Sequence, residues 1–290
     1  MSSHRLELQH HLNRRPLRRV LLGMALVTVA TATVTPASAG DLAEIRARGK
    51  LVMLCFANVG SSSVRPNLDI MREKGLTLAQ LHSPDQFEGF DVDLMKSFAA
   101  SLGLPLEIHS VTTSYAELIP ALVAGEGDVV ATSFTITEDR KKVIDFSEPY
   151  QRGWIVVAVP LDSKVQSLAD LAGKRGLAMR GSSQAEIFQR LQVPNTKLEF
   201  TDFTAQSYSS VLDGKADYLL TDSAGPLGSP PVPTYPLVKV AVRLSPYDYG
   251  FAVRPGSDLR TALDQWLAGI KASGELQSLA TRNHVEMAKD

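Results

Sequence analysis

Cysteine is nearly missing from this chain: Cys55 stands alone among 290 residues. A single thiol forbids an internal disulfide and leaves neither a redox pair nor a cysteine-based zinc site. Histidine is scarce as well, and His82, His109 and His284 lie far apart without metal-ligand spacing. There is no basic excess, because 30 Lys and Arg face 31 Asp and Glu, and five of those arginines with one glutamate fall in the first 39 residues. The remainder of the chain is therefore acidic, which argues against nucleic acid as a partner. No apolar run reaches the roughly 20 residues that a membrane-spanning helix needs.

The residues that are present describe a globular chain. Apolar residues make up 44% and charged residues 21%, too hydrophobic for disorder and enough for one or two cores. A length of 290 residues favours two domains. Near the start, Arg14, Arg15, Arg18 and Arg19 precede an uncharged run from Val20 to Val34 and then Ala37-Ser38-Ala39. That is the order of a secretory signal, expected over residues 1–39 with cleavage after Ala39. Arg14-Arg15 also suits the twin-arginine route, with Sec export the expected one. No cysteine stands at the cleavage site for a lipid, so the mature chain is expected free in the periplasm.

Beyond the leader, strand-like and helix-like segments alternate, the pattern of α/β lobes. Leu51 to Phe56 reads as strand, succeeded by a helix capped by Asp91 with Phe90, Leu94, Phe98 and Leu102 on one face. Pro105 to Val111 reads as strand, and Tyr115, Leu118, Ile119, Leu122 and Val123 as a helical stripe closed by Gly125. Asp128 to Thr135 is β-branched and apolar, as in a buried central strand. In the second half, strands are expected at Trp154 to Pro160, Arg175 to Met179, Leu198 to Phe200, Ala216 to Leu220, Leu237 to Val242 and Tyr249 to Val253. Helices are expected from Ser183 through Leu191 and around Tyr208, Val211 and Leu212. Leu259, Leu263, Trp266, Leu267 and Ile270 line a last helix closed by Gly274.

Three constellations carry chemistry. Thr135-Ile136-Thr137-Glu138-Asp139-Arg140 comes after a buried strand and opens a predicted helix. Helix-opening amides, the Thr135 hydroxyl and the Arg140 guanidinium can together hold a carboxylate; alternatively the segment is a solvated helix start capped by Thr137. Gly181-Ser182-Ser183-Gln184-Ala185 resembles a nucleophile elbow, with Asp222 and His284 in triad order, or else a loop whose amides face an anion. Thr221-Asp222 ends a predicted strand, where the carboxylate can bind an ammonium or cap a turn.

The order of Gly89-Phe90-Asp91-Val92-Asp93-Leu94, Ile119-Pro120-Ala121-Leu122, Gly127-Asp128, Thr135-Ile136-Thr137 with Arg140, and Asp145-Phe146-Ser147-Glu148-Pro149-Tyr150 resembles family 3 extracellular solute-binding proteins. Tyr249-Gly250-Phe251-Ala252-Val253 resembles that family's return crossing. These proteins are periplasmic receptors of polar amino-acid ABC importers. The resemblance implies a type II periplasmic-binding-protein fold: two α/β lobes joined by two crossing hinge strands. Lobe 1 is expected over residues 40–147 and 250–290, and lobe 2 over 148–249, with crossings near Ser147 and Tyr249. The resemblance further implies that Arg140 pairs with a ligand carboxylate beside Thr135, while Ser133 offers backbone near the ammonium. From lobe 2, Ser182 and Ser183 complete the carboxylate site and Asp222 takes the ammonium; Tyr115 covers the ligand. No cofactor is implied. The partners are an amino acid or related zwitterion and the membrane permease of an ABC importer, with the protein itself a monomer.

Departures from the family pattern concern the loop after the first strand. Phe56 is a ligand-facing ring or ordinary core, and the long insertion through about Phe87, with a short helix within Leu68 to Leu81, is a surface excursion or a lid. Met179 stands where many members place a polar residue. Cyclohexadienyl and arogenate dehydratases resemble the same scaffold, but they carry a catalytic glutamate a few residues beyond the acid position. Asp222-Ser223-Ala224-Gly225-Pro226 offers none. A soluble sensory module is a third reading.

Overall fold

The computed structural model describes residues 42–58, 61–111, 114–202, 204–223, 238–285 and 287. The predicted leader, and Ala224 to Pro226 after the acid position, lie outside the described residues. In chain order the elements are α1 (Leu42–Arg48), β1 (Leu51–Cys55), β2 (Arg65–Pro66), α2 (Leu68–Lys74), β3 (Phe87–Glu88), α3 (Phe90–Ser101), β4 (Leu106–Ser110), α4 (Leu118–Ala124), β5 (Val129–Val130) and β6 (Asp145–Phe146). The second half adds β7 (Gln151–Pro160), β8 (Arg175–Met179), α5 (Ser183–Arg190), β9 (Lys197–Thr201), α6 (Thr204–Leu212), β10 (Tyr218–Asp222), β11 (Val238–Tyr249), β12 (Ala252–Val253), α7 (Leu259–Ala272) and α8 (Glu275–Arg282).

Two five-stranded sheets organise the chain. In the first the order is β4-β1-β5-β12-β6. β1 is paired on both edges and every residue of it is buried, which is why it reads as a continuous apolar run rather than an alternating one. Against this sheet α3 lays Phe90, Leu94, Met95 and Phe98. Asp91 does not cap α3: Gly89 is the N-cap, at φ 127, and Asp91 sits in the first turn with its carboxylate turned inward. A side chain at Gly89 would collide with the backbone oxygen of Ser63, 2.2 Å from a Cβ.

Other expectations need correction. The stripe through Val123 fails at its end, where Val123 is 56% exposed. Tyr115–Glu117 is a 3₁₀ turn, whose tighter winding shifts the phase of the helix behind it. β5 leaves its ladder after Val130, and Thr135 bridges instead to Tyr249. Gly274, at φ 78, closes α7 as expected, but α7 is not the last helix: the chain turns there into α8, whose Leu276, Leu279 and Ala280 are buried.

The second sheet has the order β11-β7-β10-β8-β9. β7 and β11 form its long antiparallel ladder, from Val238 opposite Pro160 to Tyr249 opposite Gln151. They also connect the two sheets. At the crossing, the Ser147 amide donates to Phe251 O at 2.9 Å and the Phe251 amide returns a bond to Ser147 Oγ at 3.0 Å. Tyr150 stacks on Phe251 there, with centroids 4.4 Å apart.

The insertion is anchored rather than loose. β2 and β3 pair, and Val64, Leu81 and Phe87 are buried in the core beneath the first sheet. The amides of Phe90 and Asp91 donate to the carbonyls of Ser62 and Ser63, so the base of the insertion is tied to the start of α3. Cys55 is buried, and burial pushes its thiol up to about 12, well away from thiolate reactivity at neutral pH.

Candidate functional site

A cleft of about 90 Å³ lies between the sheets, lined from one side by Asn58, Ser61, Ser62, Tyr115, Ser133, Thr135 and Arg140 and from the other by Met179, Ser182, Ser183, Gln184, Tyr208 and Asp222. This is less than the roughly 150 Å³ of a dry cavity that holds benzene, so the two sides stand close together.

Arg140 sits in a 3₁₀ turn, Arg140–Lys142, and not at the start of an α-helix. The expected helix-opening amides are therefore absent as an anion site, which leaves the guanidinium as the cation lining this side of the cleft. It is 7% exposed. Nη1 donates to Thr135 O at 2.9 Å, Nη2 donates to Gly181 O at 3.2 Å, and Cζ stands 3.9 Å from the centre of the Phe134 ring. Among the described residues no carboxylate forms an ion pair with it. Burial draws its pKa below the ordinary arginine value, against the opposing negative charge of Glu186. A buried guanidinium held by carbonyls and an aromatic face is a cation short of a counter-charge.

The second sheet brings its loop to the same place. Ser182 is the N-cap of α5, its hydroxyl accepting from the Ala185 amide at 3.5 Å. Ser183, the first residue of the helix, donates through Oγ to Thr135 Oγ1 at 2.9 Å in a buried position. Gly181 approaches Ala116 so closely that a Cβ would lie 2.7 Å from the Ala116 amide nitrogen, and its φ of 70 already favours glycine. Ser114 Oγ donates to Arg180 O at 3.2 Å, and Arg190 pairs with Asp139 across the same gap. The two sides are therefore drawn together around the cleft.

Asp222 stands at the C-terminal end of β10, half-buried, and accepts from Gln184 Nε2 at 3.4 Å. Its charge adds to burial in pushing the Tyr115 and Tyr249 hydroxyls above their ordinary pKa. Tyr115 also donates to Thr132 O at 2.9 Å, which fixes the ring at the wall of the cleft.

Ser133 has a φ of 50, a conformation uncommon outside glycine and asparagine. The Asp91 carboxylate holds it there. Its Oδ2 accepts from the Ser133 amide at 2.6 Å and from Ser63 Oγ, while the Tyr150 hydroxyl lies beside the group without hydrogen-bond geometry. Burial raises the Asp91 pKa, and its hydrogen-bond donors hold it down only in part.

Of the residues singled out in sequence, Arg140, Thr135, Asp222, Ser183, Ser182, Ser133 and Tyr115 line one cleft. Phe56 does not. It is 2% exposed, packed behind Tyr115 with centroids 5.1 Å apart, so it supports the aromatic wall instead of facing a ligand. His284 is exposed and outside the lining, which removes the triad reading of Ser183. Sequence reasoning misses Ser61, Ser62 and Gln184. Their signal is weak: two serines in an insertion, and an amide one residue past the start of the helix.

Two α/β lobes on paired crossing strands, with a buried cation on one side of a cleft and an acid on the other, define a solute-binding clamp. The pattern of the bacterial extracellular solute-binding proteins, family 3, matches residues 78–285. The chain belongs to this family. It is 30% identical over 228 residues to a glutamine-binding protein of Geobacillus stearothermophilus, covering 77% of this chain and 80% of that protein. Among solved structures, an ancestral arginine-binding protein bound to arginine matches with a TM-score of 0.69 at 28% identity, over 81% of this chain and 98% of that one. An ancestral amino acid-binding protein described as a precursor of cyclohexadienyl dehydratase also has a TM-score of 0.69, at 28% identity, over 83% of this chain and 97% of that one.

Proposed function

We propose that this protein closes its two lobes on an amino acid, or a closely related zwitterion, in the periplasm. The closed form, as a monomer, is what the membrane permease of an ABC importer recognises. The observation that carries the reading is Arg140: a buried guanidinium whose partners are two carbonyls and an aromatic ring, opposite an acid supplied by the other lobe. A ligand carboxylate supplies the missing counter-charge, with Ser183 and Thr135 beside it, and a ligand ammonium meets Asp222. Each pairing replaces lost hydration with charge-assisted hydrogen bonds. Closure results because the two ends of one small molecule are held by different lobes.

We read this as binding without turnover, in keeping with the glutamine-binding and arginine-binding relatives; among the described residues Asp222 is the acid that lines the cleft. Calorimetry with a bound amino acid, its methyl ester and its N-acetyl derivative tests the reading. The free zwitterion is expected to bind, and each blocked form to lose most of its affinity. Equal affinity for the methyl ester would show that Arg140 grips no carboxylate. Incubation with prephenate is expected to yield no phenylpyruvate; its appearance would move the protein to the dehydratases.

A further inference from the structure

We infer that the amino acid is one whose side chain carries no charge. The inference rests on the zwitterion reading and extends it to the substrate class. The charged side chains lining the cleft among the described residues are Arg140 and Asp222, one of each sign. The ligand's own carboxylate and ammonium use both. The rest of the lining is uncharged, and it includes Asn58, Ser61 and Ser62 from the first lobe and Met179, Gln184 and Tyr208 from the second. Amides, hydroxyls and a thioether exchange hydrogen bonds but supply no counter-charge.

Charges near the cleft do not change this. Asp91 is fully buried, with Oδ2 engaged by Ser63 and Ser133, and it does not line the space. Glu186 bears on Arg140 electrostatically and is likewise outside the lining. The stretches adjoining the lining in sequence, Val59-Gly60, Thr112-Thr113 and residues 224–237, contain no Asp, Glu, Lys or Arg. A third charge on the ligand would thus leave water and meet no opposite charge, a cost that selects against arginine, lysine, aspartate and glutamate.

Thermal unfolding of the ligand-free protein with each of serine, threonine, alanine, asparagine, glutamine, arginine, lysine, aspartate and glutamate reads this out, because a ligand selective for the folded state raises the midpoint. One or more neutral amino acids are expected to give the largest shift, with affinities at least about tenfold tighter than any charged one. If a charged amino acid gives the largest shift, the charge inference is overturned and the zwitterion reading stands. If no amino acid moves the midpoint, both fall. Asn58→Asp adds an acid to the uncharged part of the lining and is expected to gain about tenfold or more for lysine or arginine relative to the best neutral ligand. No gain would overturn the assignment of this part of the lining to the ligand side chain.

Discussion

The Ser183 hydroxyl, carried by one lobe, donates to the Thr135 hydroxyl of the other at 2.9 Å in a buried position. Both groups flank the Arg140 guanidinium, itself bonded to Thr135 O on its own side and Gly181 O on the far side. On the proposed reading, closure and ligand binding share the same few atoms.

Ser183→Ala is expected to weaken ligand affinity by about 2- to 10-fold, the worth of one net hydrogen bond of about 0.5–1.5 kcal/mol. Thr135→Ala should cost a similar amount, and the double variant less than the sum, because the two side chains contact each other. Calorimetry on the four proteins measures the coupling. Strict additivity would mean that the bond plays no part in the closed form.

Gly181→Ala places a methyl 2.7 Å from the Ala116 amide nitrogen across the cleft. The variant is expected to resist closure, keeping a larger radius of gyration in small-angle scattering with ligand present and binding more weakly. Gly173→Ala is the control, since Gly173 shares a positive φ of 74 but a Cβ there meets nothing within 4 Å. If both variants close normally, the close approach is unimportant.

Asp91 carries a raised pKa in the folded protein, chiefly from burial. The folded state then holds that proton more tightly than the unfolded chain, whose carboxyl titrates near 3.8. The contribution to stability is fully present below that value and is lost as pH rises through the folded pKa. Asp91→Asn keeps an oxygen for the Ser133 amide and removes this loss. Urea midpoints taken upward from pH 3 should show the variant gaining on the parent from about 3.8 until the folded pKa of Asp91 is passed. A pH-independent difference would contradict the burial account.

Phe56 supports Tyr115 from behind, so Phe56→Ala is expected to cost about 3–5 kcal/mol of stability, as large-to-small core changes do. The rank order of ligands should not change. A changed order at unchanged stability would return Phe56 to the ligand-facing side.

Much of the architecture is readable from periodicity. β8 falls on Arg175–Met179 as expected, and α7 shows its stripe of Leu259, Leu263, Leu267 and Ile270 because one wide face is buried. The pattern ends β11 at Val242, yet the strand runs to Tyr249; register shifts after Val240 and Arg243 break the alternation that marks a strand. α8 is hidden because Gly274 looks like a helix stop, and its amphipathic face is only two turns long. At the cleft, Arg140 stands out as a cation beside a buried segment. Its approach to Gly181, and the link between Thr135 and Ser183, are 41 and 48 residues apart in sequence and no local spacing encodes them. Ser61 and Ser62 are unreadable for the same reason: only docking of the insertion on the start of α3 brings them to the cleft.

The most direct measurement is calorimetry of Arg140→Ala against the parent, using the amino acid that gives the parent its largest thermal shift. Removing the guanidinium leaves a desolvated carboxylate unpaired, and the expected loss is about 2–5 kcal/mol, roughly 30-fold to several thousand-fold in Kd. A folded variant that binds within twofold of the parent would contradict the clamp.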